Sequence, residues 1–120
     1  KRIDLSFRCE KLKTRTFFTK ADPFIVLFID GVEIGQTEIV RHTDCPVFKT
    51  AIGMAHLKET VQQARIEVRD DDSKGGTVFK VIGSVETTAA ELLLGSEFVV
   101  KDSEGKPQGS VVVETAAGLE

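Results

Sequence analysis

Six consecutive apolar residues, Phe24-Ile25-Val26-Leu27-Phe28-Ile29, constrain this chain more than any other stretch in it. They are rich in β-branched and aromatic types and are closed by the turn dipeptide Asp30-Gly31, so they read as a strand buried on both faces. Pro23 suits the first strand position, because there its missing N–H costs no ladder bond. Asp22 therefore stands at the lip of a rigid core strand, a place where a carboxylate can be held still. Asp30-Gly31 predicts a tight hairpin, with residues 33–41 as the returning strand.

The rest of the chain is built of similar short pieces. Ile3, Leu5, Phe7 and Cys9 alternate with Asp4, Ser6, Arg8 and Glu10, the pattern of a half-buried strand. Alternation returns in Ala64, Ile66 and Val68 against Arg65, Glu67 and Arg69, and stops abruptly at Asp70-Asp71-Asp72. Further strands are expected at 47–52, 78–86, 97–101 and 109–115, while 53–63 leaves room for a helical turn. Thr88 with Glu91 three residues on matches a capping box and Gly95 lies where a helix would stop, which predicts one short helix near 89–94. Eight short strands with turn signals every ten or so residues predict an eight-stranded antiparallel β-sandwich.

A chain of 120 residues fits one domain with a real core. The net charge of −3 implies no bulk attraction to nucleic acid. There is no apolar run of membrane-spanning length and no signal-peptide pattern. Cys9 and Cys45 have neither metal nor redox spacing and read as reduced thiols of a cytosolic protein. The first residue is not Met, as in a domain cut from a longer chain. The domain is read as 1–116 with 117–120 as a tail, Leu119-Glu120 being set aside as cloning residues.

In order along the chain, several segments resemble a C2 domain of the copine type. Lys20-Ala21-Asp22-Pro23-Phe24 resembles that family's Ser-Asp-Pro-Tyr/Phe entry into a core strand. Thr37-Glu38-Ile39-Val40 and Cys45-Pro46-Val47-Phe48 resemble its Thr-Glu-Val-Ile and Asn-Pro-Val-Phe segments. Val61-Gln62 through Ile66-Glu67-Val68-Arg69-Asp70-Asp71-Asp72 resembles Val-Gln…Phe-Glu-Val-Tyr-Asp-x-Asp, and Val81-Ile82-Gly83 resembles Phe-Leu-Gly. The first strand runs straight into the first loop and two strands follow the helix, which is similar to the type II strand order.

The resemblance implies reversible docking on phospholipid membranes, often driven by Ca²⁺. Calcium takes about 6 to 8 oxygen ligands, which clustered aspartates and lipid phosphate can share. Asp22, Asp70 and Asp72 match three carboxylate positions of the family motif, and an extended backbone would turn Asp70 and Asp72 to one side. Two other acidic positions are replaced, by Thr16 and by Lys80. Weak or absent Ca²⁺ binding is therefore expected, with Lys80 as a tethered counter-cation. Asp71 adds a charge where the family usually has a non-acidic residue, which offsets part of the loss.

Phe17 and Phe18, flanked by Lys11, Lys13, Arg15 and Lys20, read either as a loop anchored on the core or as apolar tips entering a bilayer. Basic groups near an anionic leaflet contribute roughly 1 kcal/mol each. The lipid-facing set expected from the resemblance is Phe17, Phe18, Lys20, Lys74 and Lys80. Ser73-Lys74-Gly75-Gly76-Thr77 lacks the spacing of a P-loop. His42 and His56 have no acid or nucleophile at suggestive spacing, and no constellation supports an enzyme. The expectation is a cytoplasmic module that associates peripherally with anionic phospholipid membranes, with modest or dispensable help from Ca²⁺. The rival is a Ca²⁺-independent protein-interaction module on the same scaffold.

Overall fold

The computed structural model describes residues 1–13, 20–72 and 77–119, with residues 115 and 117–119 described by backbone alone. Its elements are β1 (Arg2–Glu10), β2 (Pro23–Ile29), β3 (Val32–Gln36), β4 (Ile52–Ala55), β5 (Gln63–Asp71), β6 (Phe79–Thr88), helix α1 (Ala89–Leu93), β7 (Glu97–Lys101) and β8 (Pro107–Leu119). All ladders are antiparallel. The strands follow the order β3-β2-β5-β6-β7-β8-β1-β4. β6 and β7 pair only at Ser84 and Lys101. At that seam the ladder folds over into two layers, β3-β2-β5-β6 and β7-β8-β1-β4, and the sandwich is formed.

The alternating residues of β1 do what their period dictates. Ile3, Leu5, Phe7 and Cys9 point inward and join Ile25 and Leu27 of β2, Ile66 and Val68 of β5, and Val100 and Val111 in one core. The apolar run is buried on both faces, with only Phe28 partly open. Asp30 and Gly31 both take positive φ, 50° and 80°, as a two-residue hairpin of this kind requires. The Thr88 hydroxyl accepts the Glu91 N–H at 3.3 Å, and Gly95 follows with φ 71°, so the short helix starts and stops on the residues that predict it.

The largest differences from the sequence reading fall at three boundaries, two of them for a shared reason. The returning strand ends at Gln36 rather than 41, because the Thr37 hydroxyl accepts the Ile25 N–H at 2.9 Å and replaces a ladder bond. The strand expected at 47–52 is only a bridge between Val47 and Arg8, and regular pairing resumes over Ile52–Ala55. In between, the Glu38 carboxylate takes the N–H groups of Lys49 and Thr50 at 2.7 and 3.2 Å, so those donors are lost to the sheet. β8 runs on beside β1 to Leu119, past the boundary read at 116.

β8, last in sequence, lies between β7 and β1, so β1 leads directly into the first loop. That is the type II order. Pro23 at the start of β2 stands opposite Asp70 near the end of β5. The chain consequently enters β2, leaves β5 and enters β6 at one end of the sandwich.

Candidate functional site at the loop end

The first and third loops meet where β2 begins and β5 ends. The Asp71 N–H donates to the Asp22 carbonyl at 3.0 Å, and the Asp22 N–H donates to Asp70 Oδ1 at 2.9 Å. The second loop joins them through Asp22 Oδ1, which accepts the His42 N–H at 2.8 Å. His42 has a φ of 53°, and this bond holds it there. Arg41 completes the cluster. Its Nη1 lies 2.6 Å from Asp71 Oδ2 and 3.8 Å from Asp22 Oδ2. The Asp71 side chain is 0% exposed and that of Arg41 47%, so a half-open guanidinium plugs a buried carboxylate.

The expected trio of aspartates is therefore arranged differently from the sequence reading. Asp22, Asp71 and Asp72 line one cavity with Arg41. Asp70 instead lines a neighbouring cleft with Lys13, Lys80, Val81, Ile82, Asp102 and Gln108. The strand period explains the split. Asp70 and Asp71 take opposite faces of β5, whereas Asp72 lies beyond the strand end, its N–H donating to the Val78 carbonyl at 2.8 Å. Lys80 stands opposite Asp70 in the β5–β6 ladder, and the cation at the Asp22–Asp71 cavity is Arg41. Thr16, Phe17, Phe18 and Lys74 lie outside the described residues.

These residues, as arranged, do not fit a calcium ion. Among the described residues, no three histidine, cysteine or carboxylate groups come together as metal ligands. Of the carboxylates that face the cavity, Asp22 is engaged by the His42 N–H and Asp71 by the Arg41 guanidinium, which also lies 3.8 Å from Asp22 Oδ2. A unit charge about 4 Å from a divalent ion repels it by roughly 2 to 8 kcal/mol at effective dielectrics of about 80 to 20, and the exposure of Arg41 favours the lower figure.

The family-like motifs acquire physical roles here. Thr37 and Glu38 serve as side-chain acceptors that shape the second loop. Burial pushes the Glu38 carboxyl up, but the N–H groups of Lys49 and Thr50 more than offset it, and its pKa falls below the ordinary value. Arg69 lies 3.9 Å over the Phe79 ring, which meets Phe24 edge-on at 6.2 Å, bracing the base of the third loop. Around the cluster stand exposed side chains of two kinds. Lys13, Lys20 and Lys80 are basic, and Val47, Val78 and Val81 are apolar, each valine at least half exposed. The sequence reading has Val47 and Val81 in family-like motifs and Val78 at the start of a strand, but does not include any of the three among the lipid-facing residues.

Residues 6–107 match the family model of the C2 domain. The chain is 28% identical over 103 residues to Copine-E and 26% identical over 128 residues to Copine-B, both of Dictyostelium discoideum. Those alignments cover 77% and 97% of the chain but 17% and 24% of the two relatives, so the chain spans about a quarter or less of their length. Among solved structures, the first C2 domain of plant Extended Synaptotagmin 1 is similar with a TM-score of 0.77 and 16% identity, covering 99% of this chain and 95% of that one. BON1-C2B is similar with a TM-score of 0.75 and 21% identity, covering 99% and 92%. These likenesses concern the fold.

Proposed function

The chain belongs to the C2 domain family, whose members are non-catalytic membrane, lipid or protein interaction modules, and we propose that this one binds anionic phospholipid membranes through its loop end with little dependence on Ca²⁺. The observation that carries the reading is the composition of that end. Lys13 and Lys80 line the cleft beside Asp70, Lys20 lies 3.8 Å from Asp44 of the second loop, and Val47 and Val78 of the second and third connections are 58% and 59% exposed. Basic groups supply attraction to an anionic leaflet, and small apolar tips enter its headgroup layer. Phe17, Phe18 and Lys74 belong to the same surface in this reading, as part of the first and third loops. Asp22, Asp70 and Asp72 assist any bound Ca²⁺ only weakly in this reading, because Asp22 and Asp70 already accept backbone N–H groups and Arg41 stands among the carboxylates. Among the described residues no helix is long and apolar enough to cross a membrane, and the association proposed is peripheral, from the cytoplasmic side.

Co-sedimentation with phosphatidylserine vesicles, in Ca²⁺ and then in chelator, tests this reading. Pelleting is expected in both. The pair of substitutions Lys20→Gln and Lys80→Gln should weaken it roughly 30-fold, at about 1 kcal/mol for each lysine. One observation favours a second reading. β3 pairs only with β2 and carries the exposed Val32 and Ile34, an edge on which a protein strand could add. Absence of pelleting in both conditions would leave that protein-interaction reading alone.

A further inference from the structure

We propose that Arg41 is this domain's own cation, fixed between the loops where members of the family that respond to calcium would place a metal ion. The inference deepens the proposed function by naming why calcium is dispensable. It stands on four geometric facts. Arg41 Nη1 is 2.6 Å from Asp71 Oδ2 and 3.8 Å from Asp22 Oδ2, so one guanidinium joins carboxylates that lie 49 positions apart in the chain. Asp71 is fully buried, and a carboxylate out of water requires a cation or several donors. Arg41 sits next to His42, whose N–H bonds Asp22 Oδ1, so the second loop reaches the first at two adjacent residues. The Asp71 N–H in turn bonds the Asp22 carbonyl, which ties the third loop to the first.

The result is a triangle of loops closed by a side chain. A divalent ion would perform the same work, bridging the carboxylates of separate loops and fixing the distance between them. Because Arg41 is covalently part of the chain, its effective concentration does not vary, and the loops stay assembled whatever the calcium level. The extra carboxylate at position 71 thus has a use. It does not restore metal affinity; it receives the guanidinium.

Thermal melting in chelator and in about 1 mM Ca²⁺ tests the assignment without lipid, so its outcome is independent of the vesicle experiment. The parent chain should melt at the same temperature in both. Arg41→Gln should melt lower in chelator, by roughly 10 °C, because it removes the guanidinium 2.6 Å from the buried Asp71 carboxylate. Added Ca²⁺ should recover much of that loss. Adding Asp71→Asn to Arg41→Gln should abolish the calcium response and raise the melting point in chelator above that of the single variant, since the buried group is then neutral. Should Arg41→Gln fail to fold in chelator, the double variant must still fold. A calcium shift in the parent as large as that in Arg41→Gln would overturn the proposal. So would a double variant no more stable than Arg41→Gln alone.

Discussion

Replacing Gly83 by alanine places one methyl group at the seam between the two layers. On the existing backbone that carbon would lie 2.7 Å from the Lys101 carbonyl oxygen and 2.7 Å from Val100 Cγ1, well inside the 3.4 Å at which ordinary contact begins. Neither neighbour can turn away. The carbonyl belongs to the strand paired across the seam, and Val100 is fully buried. Overpacking of this kind costs about 1 to 3 kcal/mol. Against it, alanine restricts the unfolded chain and contributes about 0.4 to 1 kcal/mol of stability. The clash wins, with a net loss of about 1 to 2 kcal/mol. At roughly 3 to 5 °C per kcal/mol for a domain of this size, Gly83→Ala should melt about 3 to 10 °C lower. Two other glycines separate the causes. At Gly35 the added carbon meets Ile52 Cγ2 at 2.9 Å, the branch methyl of a buried β-branched side chain, and no backbone atom, so Gly35→Ala should also lose stability, by about 1 kcal/mol and less than Gly83→Ala. At Gly31 nothing lies within 4 Å, but φ is +80°, so Gly31→Ala should cost about 1 kcal/mol through the backbone alone. Circular-dichroism melts and urea titrations of the three variants read the order directly. A Gly83→Ala protein melting at or above the parent would refute the steric reading of the seam.

Three further outcomes follow from buried groups. Thr37→Val should lose about 1 to 3 kcal/mol in urea unfolding, because the Ile25 N–H keeps no acceptor, whereas Thr37→Ser keeps the hydroxyl and most of the stability. Cys45 is exposed and Cys9 buried, so a thiol reagent should label one cysteine of the native protein at neutral pH and the second only after unfolding. Burial pushes the Cys9 thiol from its ordinary 9.0 up to about 12, so above pH 9 the unfolded chain releases a proton that the folded one holds. Stability should then fall with rising pH across that window, by at most about 1.4 kcal/mol per unit, and Cys9→Ala should flatten that part of the slope.

Most of the fold was legible because local chemistry and tertiary packing agree. The period of β1, the apolar run of β2, the Asp30-Gly31 turn and the Thr88–Glu91 cap each encode their structure within ten residues. The second loop was not legible. There Thr37 and Glu38 divert backbone donors from the ladder, and a hydroxyl or carboxylate acting on N–H groups 11 or 12 positions away leaves no periodic trace. The site was half legible. The Asp-Pro entry and the acidic strand end placed Asp22 and Asp70 to Asp72 at one lip, where the structure has them. Alternation alone, carried one residue past the end of β5, paired Asp70 with Asp72 and left Asp71 as a surplus charge. The sign that could have found Arg41 was that surplus itself. A third consecutive aspartate at a buried strand end needs a cation, and Arg41 follows the second-loop motif directly.

The acidic residues of this end act chiefly as acceptors for backbone amides. Asp22 receives His42, Asp70 receives Asp22, Glu38 receives Lys49 and Thr50, and Asp102 receives Glu104 and Lys106. Such bonds fix these loop segments before any partner arrives, and a surface already ordered spends less of its contact energy on ordering. What remains for recognition is the lysine fringe and the valine tips. The affinity of such a surface should respond to ionic strength more than to calcium, because the Debye length falls from about 10 Å at 0.1 M to about 3 Å at 1 M salt. Vesicle binding that persists in chelator yet collapses on adding salt would carry that signature. Binding indifferent to salt would place the attraction in the apolar tips instead.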